Sequence, residues 1–293
     1  MQSNALLSVV MPIALGIIML GLGLSLKIDD FKRVVIFPKA VMVGLLCQML
    51  LLPTICFFVV TGFGLSAELA VGLMLLSASP GGATANLYSH LAKGDVALNV
   101  TLTAINSVLT LFTLPLIVNL SIAHFMQAGP DGPVVTMQFK KVFEVFAIVL
   151  VPVTIGMFVN AKWPAISKKL EKPVKTLSAA FLAFIIIAAV LKEKENMASY
   201  FEQVGMAALV FNLVSMTAGF FIPILLKLGK KQAIAIGMEI GIHNGTLAIY
   251  IAMQILDSTV MSIPAAIYSL IMFFTAAIFG LLVNRKKGDP TLV

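Results

Sequence analysis

The chain has 293 residues, of which 60% are apolar and 11% are charged. Soluble domains carry about 25% charged residues and under about half apolar ones, so this composition excludes an ordinary soluble protein. We attribute the net charge of +7 to basic residues in the loops on one side of a membrane, and not to nucleic-acid binding.

Apolar stretches recur along the whole length, and each is long enough to cross a hydrocarbon core of about 30 Å as a helix. They predict an all-α membrane protein with nine transmembrane helices in a single membrane domain, residues 1–293. The predicted spans cover residues 5–26, 38–62, 66–92, 96–124, 142–161, 173–192, 198–226, 231–256 and 262–284.

The distribution of Lys and Arg predicts the orientation of these spans. With the N-terminus outside, sixteen basic residues fall on the inner side and four on the outer side. The inner set is Lys27, Lys32, Arg33, Lys39, Lys93, Lys162, Lys168, Lys169, Lys172, Lys175, Lys227, Lys230, Lys231, Arg285, Lys286 and Lys287. The outer set is Lys140, Lys141, Lys192 and Lys194. This positive-inside bias predicts a cytoplasmic C-terminus. We expect the membrane to be the bacterial inner membrane.

The third and eighth spans carry matching interruptions. In the third, Pro80, Gly81 and Gly82 should open the backbone hydrogen-bond ladder at mid-membrane. In the eighth, Gly241 and Gly245 flank polar residues. A matched pair of broken helices is typical of transporters built from inverted repeats, whose binding sites lie where the broken helices cross. The alternative is that the glycines only permit close helix packing.

A loop around residues 129–133 divides the chain into two repeats. The N-terminal repeat, residues 1–125, holds four predicted spans, and the C-terminal repeat, residues 139–284, holds five. In each repeat the broken span is followed at once by another span. Because the first repeat has four spans and the second has five, the first is predicted to lack one helix.

Glu239 is the one acidic residue that the predicted spans place deep in the bilayer. A carboxylate there costs about 2.5 kcal/mol or more unless it is neutralised, paired or ligated, and no Lys or Arg lies at similar depth. His243, four residues later, shares its helical face if the helix continues that far, which permits a Glu–His hydrogen bond. The alternative for His243 is an ordinary packing role.

A polar stripe runs along the fourth span at helical spacing, through Asn99, Thr103, Asn106 and Thr110. With Asn86 and Gln48, it predicts a cluster of oxygen ligands around Glu239. Oxygen ligands with one carboxylate suit Na⁺, whereas Ca²⁺ favours more carboxylates and zinc favours Cys and His. The alternative is a hydrogen-bond network without ions. The phosphate-loop and HExxH motifs of enzymes are missing from the sequence.

These residues resemble the bile acid:sodium symporter family over nearly the whole chain, in a nine-helix form similar to prokaryotic members. The resemblance rests on the stretch GIIMLGLGLSLK from Gly16 to Lys27 with Asp30 and Phe31, Gln48 ahead of Pro53, Ser79-Pro80-Gly81-Gly82 with Asn86, and Glu239 with Asn244.

The resemblance implies a core domain, a smaller panel domain and two sodium sites behind the helix crossing. The first site would be formed by Asn86, Asn99, Thr103 and Glu239. The second would be formed by Gln48, Glu239, Ile240, Ile242 and His243. The substrate cavity would be lined by Asn244, Pro80, Gly81, Gly82 and Thr246. Many members have Gln at the position of His243, and a neutral imidazole is a poor ligand for Na⁺, so the second site is the weaker expectation.

The resulting hypothesis is a sodium-coupled symporter of an amphipathic organic anion, bile-acid-like or a small carboxylate, that works by alternating access. Na⁺ is the coupling ion, no cofactor is expected, and the chain is not an enzyme. The first alternative is a proton-coupled or uncoupled transporter on the same fold. The second is a membrane sensor or passive channel that transports nothing actively.

Overall fold

The computed structural model of the protein describes residues 2–126 and 139–284, and the named elements in these ranges are helices. They are α1 Gln2–Ser25, α2 Ile28–Ile36, α3 Pro38–Leu46, α4 Leu52–Gly62, α5 Ala67–Ala78, α6 Ala83–Leu91, α7 Val96–Phe125, α8 Phe139–Lys162, α9 Pro164–Lys192, α10 Met197–Leu225, α11 Lys230–Gly241, α12 Gly245–Tyr250 and α13 Ile263–Asn284. A π-helical turn, Cys47–Leu51, joins α3 to α4, and a second, Ile251–Ile255, follows α12.

The two interruptions fall where proline and glycine occur in the sequence. Helix α5 ends at Ala78, Ser79 is extended, and α6 begins at Ala83. Helix α11 ends at Gly241, Ile242 is extended, and α12 begins at Gly245. Each broken span is therefore a pair of short helices joined by a short extended segment.

The predicted spans coincide with described helices, but nine membrane crossings are not confirmed. Five helical stretches of the described residues are long and apolar enough to cross a bilayer: Pro38–Gly62, Val96–Phe125, Phe143–Lys162, Met197–Leu225 and Val260–Asn284. A sixth is added if the bent pair Val9–Ser25 and Ile28–Ile36 is one span. Three predicted spans are not among these six. The third and the eighth are each divided between two short helices, and the sixth lies in α9. The loop at 129–133 and the basic residues 285–287 lie outside the described residues.

Helices α1, α8 and α9 pack on one another, and we call them the three-helix unit. Glycines bring α1 and α8 close together, because a Cβ on Gly23 would overlap the Val153 backbone and one on Gly156 would lie 2.6 Å from the Leu20 carbonyl oxygen. At one end of the unit, Asn160 Nδ2 donates to the Leu26 carbonyl oxygen at 2.8 Å.

The broken helix α11 is enclosed by α6, α7 and α10. A Cβ on Gly241 would overlap Met216, and one on Gly219 would overlap Ile240, so α10 and α11 approach through two glycines. Along its length from Ala233 to Gly241, α11 is buried. Glu239, the acidic residue predicted to lie deepest, is therefore on the buried part of α11.

Substitution at Gly23 tests the close approach of α1 and α8. We expect Gly23→Ala to destabilise the protein by about 1–3 kcal/mol, because overpacking forces the backbones apart. Gly62→Ala is the matched control, since an added Cβ meets nothing within 4 Å there. The measurement is the apparent melting temperature in detergent. Equal melting temperatures for the two variants would contradict the packing described here.

Candidate functional site

The two breaks meet and are joined through their backbones. Gly82 N donates to the Ile242 carbonyl oxygen at 2.8 Å, and Asn244 N donates to the Pro80 carbonyl oxygen at 2.9 Å. These bonds form a short antiparallel bridge centred on Gly81 and His243. The pairing satisfies backbone groups that the ends of the short helices would otherwise leave open.

Glu239 lies beside this crossing and is fully buried, with 0% of its surface exposed. Thr103 Oγ1 donates to its Oε2 at 2.6 Å, and Asn106 Nδ2 donates to its Oε1 at 3.1 Å. A Cβ on Gly81 would overlap the carboxyl group. Both carboxylate oxygens thus accept a hydrogen bond from α7, and glycine leaves the room that the carboxylate occupies.

Amide oxygens around the crossing are buried and have no hydrogen-bond partner within the described chain. They include Oε1 of Gln48 and Oδ1 of Asn86, Asn99 and Asn106. In three of these side chains the amide nitrogen is held by an acceptor, so hydrogen bonding fixes which atom is the oxygen. Asn99 Nδ2 donates to the Ala235 carbonyl oxygen and Gln48 Nε2 to that of Ser79, each at 2.8 Å.

This set of atoms fits a small monovalent cation. A buried acceptor without a partner is costly, and a bound cation would satisfy several acceptors at once. One carboxylate with neutral amide oxygens is a hard, weakly charged ligand set. Among the described residues there is no group of three or more His, Cys, Asp and Glu side chains that could hold a metal ion. The residues present therefore fit Na⁺ better than zinc or Ca²⁺.

Gln48 and His243 meet at one carbonyl group. Gln48 Nε2 donates to the Ser79 carbonyl oxygen, and His243 Nδ1 lies 3.4 Å from the same oxygen. The imidazole stacks on Phe211, with ring centroids 6.0 Å apart, and its Nε2 is buried without a partner in the described chain. Ile242 lies in the break beside His243, while Glu239 and Ile240 belong to the last turn of α11, where the carboxylate bonds to α7.

The Glu239–His243 hydrogen bond that helical spacing permitted is not formed. Helix α11 ends at Gly241, two residues before the histidine, so the four-residue spacing no longer puts both side chains on one face. The imidazole turns toward Ser79, while the carboxylate turns toward α7.

The residues expected around a substrate cavity lie at the crossing but are packed. Asn244 is 8% exposed, and its Oδ1 accepts from Leu247 N at 3.1 Å, which caps α12. Pro80, Gly81, Gly82 and Thr246 are also buried. An open, shallow surface region lies elsewhere, along exposed residues of α9: Lys172, Pro173, Thr176, Leu177 and Ala180.

Asn106 reaches Glu239 directly, as the polar stripe predicted, although the family resemblance left it out of both sodium sites. Two other contacts at the site were not predicted from the sequence. Asn212 and Tyr268 both donate to the Gly241 carbonyl oxygen, at 2.9 and 3.0 Å, and so hold the end of α11. The one available signal for Asn212 was an amide in the middle of an apolar span.

Comparison with known proteins adds an independent finding. The model of the Sodium Bile acid symporter family matches residues 12–200. The chain is 30% identical to the uncharacterized sodium-dependent transporter YocS of Bacillus subtilis over 257 residues, which are 88% of this chain and 77% of that protein. It is 26% identical to the ileal sodium/bile acid cotransporter of Oryctolagus cuniculus, over 97% of this chain and 82% of that one.

A plant relative is longer than this chain. Identity to the probable sodium/metabolite cotransporter BASS2, chloroplastic, of Oryza sativa is 24% over 95% of this chain, which spans 64% of that relative's length.

Replacing Thr103 tests whether α7 stabilises the buried carboxylate. We expect Thr103→Val to lower stability by about 1–3 kcal/mol in sodium-free buffer, because Glu239 loses a donor that nothing replaces. Thr110→Val changes the same kind of side chain, also buried and further along α7, and should cost less. The readout is the apparent melting temperature of each variant in detergent. A larger loss for Thr110→Val would show that the contact with Glu239 is not the important one.

Proposed function

We propose that this chain, which belongs to the Sodium Bile acid symporter family, is a secondary active transporter that couples Na⁺ to the movement of an amphipathic organic anion. The family consists of sodium-dependent transporters, not enzymes, and the chain is a multi-pass membrane protein. The observation that carries the proposal is the buried Glu239 carboxylate beside buried amide oxygens that lack partners in the described chain.

The first sodium site in this proposal comprises Asn86, Asn99, Thr103 and Glu239. Thr103 already contacts the carboxylate, and the Oδ1 atoms of Asn86 and Asn99 are buried acceptors without partners. Asn106 holds the other carboxylate oxygen. When Na⁺ binds, its charge would offset that of Glu239, and this offset lowers the cost of a carboxylate in an apolar interior.

The second sodium site comprises Gln48, Glu239, Ile240, Ile242 and His243. Oε1 of Gln48 is its clearest oxygen ligand, because it is buried and lacks a partner in the described chain. The Ile242 carbonyl oxygen already accepts from Gly82 N but keeps a second lone pair. Because His243 supplies nitrogen where an oxygen would suit Na⁺ better, we propose that this site binds sodium more weakly than the first.

The substrate in this proposal is an organic anion that meets the crossing at Asn244, Pro80, Gly81, Gly82 and Thr246. Relatives are named for bile acids, organic anions and metabolites, and the first two of these are anionic. Since these residues are packed in this structure, the cavity must open when the helix crossing moves against its surroundings.

Alternating access supplies that movement. We propose nine membrane spans, in which α5 with α6 and α11 with α12 are each one broken span, arranged as inverted repeats of residues 1–125 and 139–284. The three-helix unit is the panel domain, and the remaining spans are the core that carries both breaks. The N-terminus lies outside and the C-terminus in the cytoplasm, as in an inner membrane protein with basic inner loops. Rocking of panel against core exposes the crossing to each side in turn.

Sodium binding should be visible as stabilisation before any substrate is known. We expect Na⁺ at about 100 times its dissociation constant to stabilise the purified protein by about 2.7 kcal/mol, with no such effect from K⁺. Glu239→Gln should abolish the sodium effect, whereas Glu202→Gln, an exposed carboxylate on α10, should retain it. The measurement is the melting temperature as a function of salt. Equal stabilisation of wild type by K⁺ would argue against a sodium site.

Transport itself is tested by uptake into proteoliposomes under imposed Na⁺, H⁺ or no gradient, with a panel of organic anions that includes a bile acid. We expect uptake to require the Na⁺ gradient and to be lost in Glu239→Ala. Flux of the same size with and without the gradients would exclude a symporter. Absence of flux for every anion would favour a sensor.

Replacement of His243 tests the second site. We expect His243→Gln to increase apparent sodium affinity, because an amide oxygen replaces an imidazole at a site already supplied by Gln48. The measurement is uptake or melting temperature against sodium concentration at several pH values. Unchanged sodium affinity with an altered pH profile would instead point to coupling through protons.

A further inference from the structure

Helix α2 lies away from the helix crossing and differs in composition from the apolar helices on either side of it. Four of its nine residues are charged: Asp29, Asp30, Lys32 and Arg33. It turns by 72° from the axis of Val9–Ser25. A helix this short and this charged cannot continue the preceding helix through a hydrocarbon core.

The two flanks of α2 have different chemistry. Phe31 and Val34 pack against the protein core, and the Asp30 carbonyl oxygen accepts from Thr101 Oγ1 of α7 at 2.9 Å. Ile28 and Val35, seven residues apart and thus on one flank, are 63% and 83% exposed. Asp29 lies about 120° round the helix from Val35 and is exposed, and Lys32 is exposed between the two. The helix therefore has a buried face, an exposed apolar flank and an exposed charged flank.

Residues typical of a membrane–water interface lie near the start of α2. Asn160 Nδ2 binds the Leu26 carbonyl oxygen, just before the bend. Trp163, the one tryptophan of the sequence, lies three residues after Asn160, just beyond the end of α8. Lys162 Nζ lies 5.2 Å from the centroid of its ring. Trp and Lys at the end of a span are typical of the interfacial layer.

The charge near α2 is positive. Its residues and the flanking Lys27 and Lys39 contribute four basic and two acidic side chains, a difference of +2. Lys32 bonds to Asp29 at 2.8 Å and lowers the pKa of that carboxyl. The Asp30 carboxylate accepts from the backbone N of Lys27. Both acids are thus engaged within the helix, and anionic groups outside it would meet an excess of cations.

We propose that α2 is an interfacial helix that lies in the plane of the membrane and binds anionic lipid headgroups. Ile28 and Val35 enter the boundary between headgroups and acyl chains, and the basic residues bind lipid phosphates. Under the orientation proposed above this is the cytoplasmic leaflet, although the lipid contact itself does not depend on transport. Because α2 joins α1 of the three-helix unit to α3, the lipid holds the linker between the two parts.

The depth of α2 can be measured by fluorescence in vesicles. In the full chain with Trp163→Phe, a single tryptophan is introduced by Val35→Trp on the apolar flank or by Asp29→Trp on the charged flank. We expect the tryptophan at position 35 to be quenched most by lipid brominated near the headgroup, and to be about twofold less accessible to acrylamide than the one at position 29. Equal acrylamide access, or strongest quenching by bromine at the chain end, would overturn the interfacial placement.

The headgroup is tested with the same tryptophan at position 35. We expect brominated phosphatidylglycerol to quench it about twofold more than brominated phosphatidylcholine at equal content, because anionic lipid gathers around the basic residues. Lys32→Gln with Lys39→Gln should bring this ratio to one. The control, Lys227→Gln with Lys230→Gln, removes two cations between α10 and α11 and should leave the ratio unchanged. Equal quenching by both lipids in the unaltered α2 refutes the proposed lipid binding.

Discussion

The rest of the structure depends on the burial of one carboxyl group. Glu239 lies in an apolar interior with no exposed surface, and the side chains that donate to it are a threonine and an asparagine. A full charge in such a place needs donors, a counter-ion or both. The requirement explains why α7 turns its polar stripe toward α11 and why Gly81, without a side chain, faces the carboxylate.

The need to satisfy backbone hydrogen bonds explains the way in which the two broken helices cross. Breaking a helix within a membrane exposes backbone groups that lipid cannot satisfy. Here each break satisfies the other, through Gly82 with Ile242 and Asn244 with Pro80. Asn212 and Tyr268 bind the Gly241 carbonyl oxygen and thereby fix the end of α11. At the crossing the two breaks are thus hydrogen-bonded to each other through their backbones. The Glu239 carboxylate lies on one side of this pairing and the His243 imidazole on another.

Local chemistry made part of this arrangement predictable. Pro-Gly-Gly predicted the first break, and i, i+4 spacing on α7 predicted that Asn99 and Thr103 face the same neighbour, where they meet Ala235 and Glu239. The hydrogen bond between Glu239 and His243 that the spacing permitted is not formed, because α11 ends at Gly241 and the spacing applies only within one helix. The polar stripe placed Asn106 near Glu239, and the two are bonded. Which carboxylate oxygen each side chain of α7 meets depends on the relative rotation of two helices that are far apart in sequence, and periodicity within one helix carries no such information.

The backbone pairing at the crossing also has a consequence for how the protein is made. Gly82 and Pro80 belong to the first half of the chain, while Ile242 and Asn244 belong to the second. During synthesis the first broken helix leaves the ribosome long before its partners exist. The crossing can close only after residue 244 has been inserted, so assembly of the site is a late step in biogenesis, and truncated chains lack it altogether.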